Sequence, residues 1–358
     1  MRRLLITTAL LAVACAPDAQ ARKLGSLEFK PCSLSAPFSG ESLPAQCTTL
    51  AVPENPAAPA GRKIKLKLAW IPAEREDAAE PDPVLMLAGG PGQSALESYP
   101  GASRAFADLR KKRHIVLVDQ RGTGGSNALT CKENLDESQL PSPELARDYT
   151  QRCVDSLLKR ADPRFYTTTE AIQDLESVRK AIGAPQLNLV GISYGTRVAQ
   201  QYAARYPATT RTIVLDSVAP NSLVLGNEFA RNLEDALDLQ FARCAKTPAC
   251  VQRLGDPRAK LQALMAKLET DPPLVTYRDG ITGESKQDTL TPALVTGLVR
   301  MYAYMPMASA LLPLQLNEAA NGRYDALMAL SQMLNTQMSE SITMGMQLSV
   351  ICSEDGKE

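Results

Sequence analysis

The residue best placed for covalent chemistry in this sequence is the serine of Gly191-Ile192-Ser193-Tyr194-Gly195. A serine hydroxyl becomes a useful nucleophile only when the backbone exposes it and a nearby base takes its proton. G-x-S-x-G is the pattern of a nucleophile elbow, a strained strand-to-helix turn that lifts the serine above a sheet. The flanking glycines are needed because a side chain at either would strike the neighbouring strand or helix. The surroundings agree: Leu187 to Val190 reads as a buried strand, and Arg197 to Tyr206 as a helix stopped by Pro207. The chemistry implied is acylation of Ser193, then hydrolysis of the ester by water. The alternative is an ordinary strand-to-helix turn.

Attack on a carbonyl also requires donors for the oxyanion. The amide of Tyr194, next after the nucleophile, is one. Gly89-Gly90-Pro91-Gly92, one residue after the apolar run Val84 to Leu87, supplies the second. Glycine lets bare backbone approach a substrate, so Gly89 belongs to the oxyanion loop and Gly90 offers the amide. Taken alone, the same four residues would make an ordinary tight turn.

These groups need a sheet to carry them. Val84 to Leu87, Ile115 to Val118, Leu187 to Val190 and Ile213 to Leu215 are apolar without alternation, as strands buried on both faces are. Between them, Thr169 to Ile182 has a helical stripe of Ile172, Leu175, Val178 and Ile182, closed by Gly183. Strands alternating with helices predict an α/β fold with a mostly parallel sheet, whose ligands bind beyond the carboxyl ends of the strands. Lys63 to Trp70 alternates, with Ile64, Leu66, Leu68 and Trp70 opposite Lys63, Lys65 and Lys67, predicting a strand with one wet face near a sheet edge. Residues 22–60, with Pro31, Pro37, Pro44, Pro53, Pro56 and Pro59, read as loop-rich. Beyond Asp216 the period turns helical, with one break near Asp271 to Thr289. Eight of the eleven methionines lie from Met301 to Met346, either filling a helical core or lining an adaptable apolar pocket.

Lys+Arg and Asp+Glu are both 39, so the overall charge gives no reason to expect nucleic acid as a partner. Arg2 and Arg3 followed by the apolar run Leu4 to Ala14 form a signal segment, too short to span a bilayer. Cleavage after Ala21 fits Ala19-Gln20-Ala21; lipidation of Cys15 is the rival reading. In an oxidising compartment the remaining cysteines are expected as disulfides, paired locally as Cys32–Cys47, Cys131–Cys153 and Cys244–Cys250. Cys352 is left over, as a free thiol, an intermolecular link, or one half of a bond to residues outside this sequence. No cysteine or histidine spacing argues for a metal, and no cofactor is expected.

Gly89-Gly90-Pro91-Gly92, Asp119-Gln120-Arg121-Gly122 with its Thr-Gly-Gly-Ser extension, and Gly191-Ile192-Ser193-Tyr194-Gly195 occur in this order. Together they resemble the proline iminopeptidase and tripeptidyl aminopeptidase group of α/β-hydrolases, over residues 28–220. The resemblance implies a serine exopeptidase that removes proline or short peptide units from peptide N-termini. Ala88 stands where iminopeptidases usually carry histidine, which favours release of short peptides. The family also implies that Asp119 and Arg121 brace their turn as an ion pair, and that a carboxylate holds the substrate's free amine. Glu354 is the candidate for that carboxylate; the alternative is a solvated acidic turn.

The implied division is a signal peptide at 1–21, the N-terminal part of the hydrolase core at 22–220, a helical cap at 221–348, and a return toward the core at 349–358. In this fold the triad runs Ser, then Asp or Glu, then His. The single histidine, His114, precedes Ser193 at the start of a strand, a structural position. The 358-residue chain is therefore expected to be inactive by itself, with the Asp and His of the triad on a C-terminal part that a longer parent polypeptide carries. An esterase on the same fold, or an inactive peptide-binding homologue, are the alternatives.

Overall fold

The structure, a computed structural model, describes residues 21–37, 40–131, 143–304 and 309–356. The proposed signal segment, with Cys15, lies outside them. Eight strands form one sheet: β1 (Arg22–Leu24), β2 (Leu27–Ser35), β3 (Ser42–Pro53), β4 (Lys63–Ile71), β5 (Val84–Leu87), β6 (Ile115–Val118), β7 (Leu187–Ile192) and β8 (Thr210–Asp216). Their order is β1-β2-β3-β4-β6-β5-β7-β8. The sheet is mixed. β1 through β4 and the β4–β6 pair run antiparallel, whereas β6, β5, β7 and β8 are mutually parallel.

The parallel strands are the apolar runs of the sequence, and β5 and β6 are buried throughout. Two expectations about the N-terminal part require correction. Residues 22–60 are mostly strand, not loop. Pro31 lies beyond the stretch of β2 that pairs with β1, and Pro44 beyond the stretch of β3 that pairs with β4. Each proline therefore sits where its strand has one partner, and its missing N–H breaks no ladder. β4 is not near an edge either. It pairs with β3 over Lys63–Trp70 and with β6 over Leu68–Ile71, and the prolines of β3 had hidden the strand on its outer side.

The helices that position the site are α1 (Ala95–Ala102), α2 (Ala107–Arg110), α3 (Pro143–Leu158), α4 (Thr168–Ala181) and α5 (Tyr194–Arg205). The stripe of α4 is buried through Ile172, Leu175 and Val178, and Gly183 takes φ +71° past its end. Leu66, Leu85, Val116, Leu189, Leu175, Val178, Val198 and Tyr202 belong to one apolar core on this side of the sheet.

Residues 229–341 are mainly helical and hold a separate apolar cluster that includes Leu237, Phe241, Leu264, Leu298, Leu316 and Met328. The predicted break is a β-hairpin, Leu274–Arg278 with Ser285–Thr289. The helix Met344–Val350 then returns to the sheet: Met346 and Val350 are fully buried in the sheet-side core. Gly345 permits that approach, since a Cβ there would stand 2.2 Å from the Leu129 carbonyl oxygen. Met346 and Met328 are thus core methionines.

β8 departs from its sequence pattern. Ile213 and Val214 point to opposite faces and are 39% and 54% exposed, and β7 is the one strand paired with β8. Its apolar run predicted burial on both faces; Leu215 is partly buried against the core, but neither Ile213 nor Val214 is buried. Cys32–Cys47, Cys131–Cys153 and Cys244–Cys250 are bonded, with Cα separations of 5.8, 5.1 and 5.3 Å. Cys352 is free and exposed. No helix among the described residues is long and apolar enough to cross a membrane.

Candidate active site

Ser193 sits between β7 and α5 with φ 55° and ψ −123°, a conformation that L-residues avoid unless the surroundings enforce it. The enforcement is steric. A Cβ on Gly191 would stand 2.4 Å from the Gly195 carbonyl oxygen, and one on Gly195 2.2 Å from that of Leu87. The turn is pinned by hydrogen bonds as well. The Ser193 amide donates to the Asp216 carbonyl at 2.9 Å, and the Thr196 hydroxyl donates to the Ser193 carbonyl at 2.6 Å.

The loop after β5 lies directly against this serine. A Cβ on Gly89 would come within 3.0 Å of the Ser193 Cβ. Gly90 has φ +106°, Gly92 has φ +116°, and the Gly90–Pro91 bond is cis. The return segment touches the same loop: the Thr343 amide donates to the Gly92 carbonyl at 2.9 Å.

Asp119 and Arg121 do not pair with each other. Asp119 accepts from the Ser94 hydroxyl at 2.6 Å, the Gly125 amide at 2.9 Å and the Leu96 amide at 3.1 Å. It therefore ties the turn after β6 to the first turn of α1. Burial pushes its carboxyl up, and those donors oppose the shift. Arg121 makes a two-pronged ion pair with Asp174 of α4, both contacts 2.7 Å, and donates to the carbonyls of Glu54 and Phe165. The expected pair fails because Asp119 is already committed to the amides and hydroxyl of α1. Both residues hold the turn nonetheless.

Glu354 lies in a short π-helical turn, Ile351–Asp355. Its carboxylate accepts from the Thr168 amide at 2.6 Å and the Thr168 hydroxyl at 3.0 Å, and stands 3.7 Å from Arg197 Nη1. Burial pushes its carboxyl above the ordinary glutamate range, against the pull of Thr168 and Arg197. Arg197, on the elbow helix, is 2% exposed and also contacts Asp355 at 3.3 Å. The Tyr194 ring is buried, with its phenol oxygen 2.6 Å from Thr168 Oγ1 and 3.2 Å from Gln120 Nε2.

His114 is at the far end of the sheet. It precedes β6, whereas the Ser193 and Gly89 turns follow their strands, and Asp119 is already about 16 Å of extended chain away. Its Nδ1 accepts from the Ala73 amide at 3.0 Å, and its ring meets Trp70 edge-on at 5.2 Å.

Sequence reading missed Asp174, Arg197, Thr168 and Ser94. Ser94 alone carried a usable local signal: Ser94-x-x-Glu97 before an apolar helix is a capping pattern, and Ser94 Oγ accepts from the Glu97 amide at 3.1 Å.

A mixed sheet with parallel central strands, glycine turns at their carboxyl ends and a serine at positive φ on a strand–helix elbow together define an α/β-hydrolase. Residues 82–259 match the family model described as the alpha/beta hydrolase fold, and the chain has that fold. The chain is 30% identical over 339 residues to serine protease Hip1 of Mycobacterium tuberculosis, a match covering 87% of this chain and 63% of that protein. It is 28% identical over 252 residues to the tripeptidyl aminopeptidase of Streptomyces lividans, covering 63% of this chain and 45% of that one. The chain therefore spans less than two thirds of the length of either relative. Among solved structures, proline iminopeptidase from Mycobacterium smegmatis aligns at a TM-score of 0.37 and 17% identity, over 80% of this chain and 70% of that chain.

Proposed function

We propose that this chain is the larger part of an exported serine exopeptidase that releases short peptide units from peptide N-termini. The observation that carries the reading is Ser193 held at φ 55° with the Gly89 loop packed against it. Ser193 attacks the scissile carbonyl, and the amides of Tyr194 and Gly90 stabilise the oxyanion. Glu354 receives the substrate's free amine, and residues 221–348 form the cap under which the peptide lies. Similarity to a serine protease and a tripeptidyl aminopeptidase supports a peptidase. Three disulfides and the sequence of residues 1–21 support export with the signal cleaved after Ala21.

The acid and base of the triad then belong to a further segment that continues the sheet past β8. The exposure of Ile213 and Val214 on β8 and the placement of the single histidine support this. The same histidine placement is the one observation favouring the other reading, an inactive peptide binder.

The test uses the full-length gene product with a fluorophosphonate probe and chromogenic reporters. Labelling at Ser193, lost in Ser193→Ala, with release from tripeptidyl reporters bearing a free amine, is the expected result. Turnover of simple acyl esters alone would make it an esterase, and an unlabelled Ser193 would leave the inactive binder.

A further inference from the structure

Gln120, Tyr194, Thr168 and Glu354, from four elements, are linked in one hydrogen-bond chain, and with Glu354 ionised the chain runs in one direction. An ionised Glu354 carboxylate has no proton to give, so Thr168 must spend its hydroxyl proton on Glu354 Oε2, 3.0 Å away. Thr168 Oγ1 is then left as acceptor for Tyr194, whose oxygen is 2.6 Å distant. The Tyr194 oxygen in turn accepts from Gln120 Nε2 at 3.2 Å. The chain of donors thus runs Gln120 to Tyr194 to Thr168 to Glu354. A second donor, the Thr168 amide, reaches Glu354 Oε1 at 2.6 Å. Thr168 is the first residue of α4 and is fully buried, so both of its donors are fixed in place and helped by the positive end of a 14-residue helix.

We propose that Thr168 is a positioning residue that orients the Glu354 carboxylate and keeps it ionised, and so sets the preference for peptides with a free N-terminal amine. This rests on the reading of Glu354 as the carboxylate that receives that amine. Burial alone would favour the neutral acid, which cannot attract an ammonium group. Two fixed donors from Thr168, with Arg197 at 3.7 Å, favour the anion. The charged and titratable groups facing Glu354 are Arg197 and Tyr194 of α5 and its own neighbour Asp355. Asp355 is engaged separately, by Arg197 at 3.3 Å and by the Leu225 amide at 2.9 Å. Tyr194, the first residue of α5, joins this chain to the turn that carries the nucleophile.

The experiment measures, on the full-length protein, the affinity for trialanine amide and for its N-acetylated counterpart across pH. The ratio of the two affinities reports amine recognition. Thr168→Val, which keeps the amide and removes the hydroxyl, should lower the ratio by about tenfold, the usual loss for a hydrogen bond to a charged group. Acidification weakens amine binding as Glu354 takes up a proton, and Thr168→Val should move that midpoint to higher pH because a donor to the charged form is gone. Thr168→Ser should restore both ratio and midpoint, which a purely structural role for the methyl group would not. Should Thr168→Val fail to fold, Tyr194→Phe breaks the next link, and a loss of about twofold to threefold in the ratio is expected. Glu354→Gln separates the two ideas. A ratio that Glu354→Gln leaves unchanged overturns the amine site itself. A ratio that Glu354→Gln abolishes and Thr168→Val leaves unchanged overturns only the role of Thr168.

Discussion

Gly195 stands so close to Leu87 that a Cβ on the glycine would lie 2.2 Å from the leucine carbonyl oxygen. The Leu87 oxygen is backbone and a Cβ is fixed by its own backbone, so nothing can rotate aside. Gly195→Ala should cost about 3 kcal/mol, read as a lowered midpoint in urea unfolding. Gly101→Ala is the control. It lies in α1, the nearest atom to its added methyl is 3.9 Å away, and alanine there should stabilise by up to about 1 kcal/mol. Equal losses at both positions would mean that close packing at the elbow is not the cause.

Arg121 and Asp174 form a fully enclosed ion pair, with side-chain exposures of 0% and 6%. Arg121→Ala should destabilise by about 3–5 kcal/mol because it strands the Asp174 charge. The double change Arg121→Met with Asp174→Leu should recover much of that loss, since no charge is left buried. A double-mutant cycle in urea decides the matter, and a double mutant no better than Arg121→Ala would contradict it.

His114 is held neutral, its Nδ1 accepting from the Ala73 amide, and burial pushes its pKa below the ordinary 6.5. The unfolded chain then binds the proton more readily than the folded one. Stability should rise with pH between the depressed folded pKa and about 6.5, and be lost on acidification through that window. Unfolding free energies from pH 5 to 7 check this. His114→Gln should flatten the slope, and an unchanged slope would assign it to other groups.

The 358 residues by themselves should not turn over peptide reporters at peptidase rates, because losing a triad base commonly costs several orders of magnitude. The measurement compares this chain with its Ser193→Ala variant. A rate that the substitution abolishes would show that a base is present after all.

β8 exposes Ile213 and Val214 on opposite faces beside a single partner strand. Such an edge is a template for association. The isolated chain should self-associate with rising concentration, and Val214→Lys should suppress this in light scattering. A monodisperse chain at high concentration would count against the reading that further strands continue the sheet.

Much of the framework around Ser193 was legible before folding, because its requirements are local. A glycine two residues either side of a serine, an apolar run before it and an amphipathic helix after it are all short-range demands of backbone sterics. The disulfides were legible for the same reason, each closing a separation of 6 to 22 residues. What the tertiary structure decided was partnership between distant groups. Arg121 and Asp119 are two residues apart, yet one turned to α4 and the other to α1, because the buried acceptors and donors available to each lay on different helices. Glu354 met Thr168 across 186 positions of sequence, a contact no local pattern encodes. The prolines of β2 and β3 argued against strands until pairing put each where no second neighbour needed its N–H. The run at β8 promised burial, and the sheet withheld it, since burial belongs to the neighbours and not to the strand.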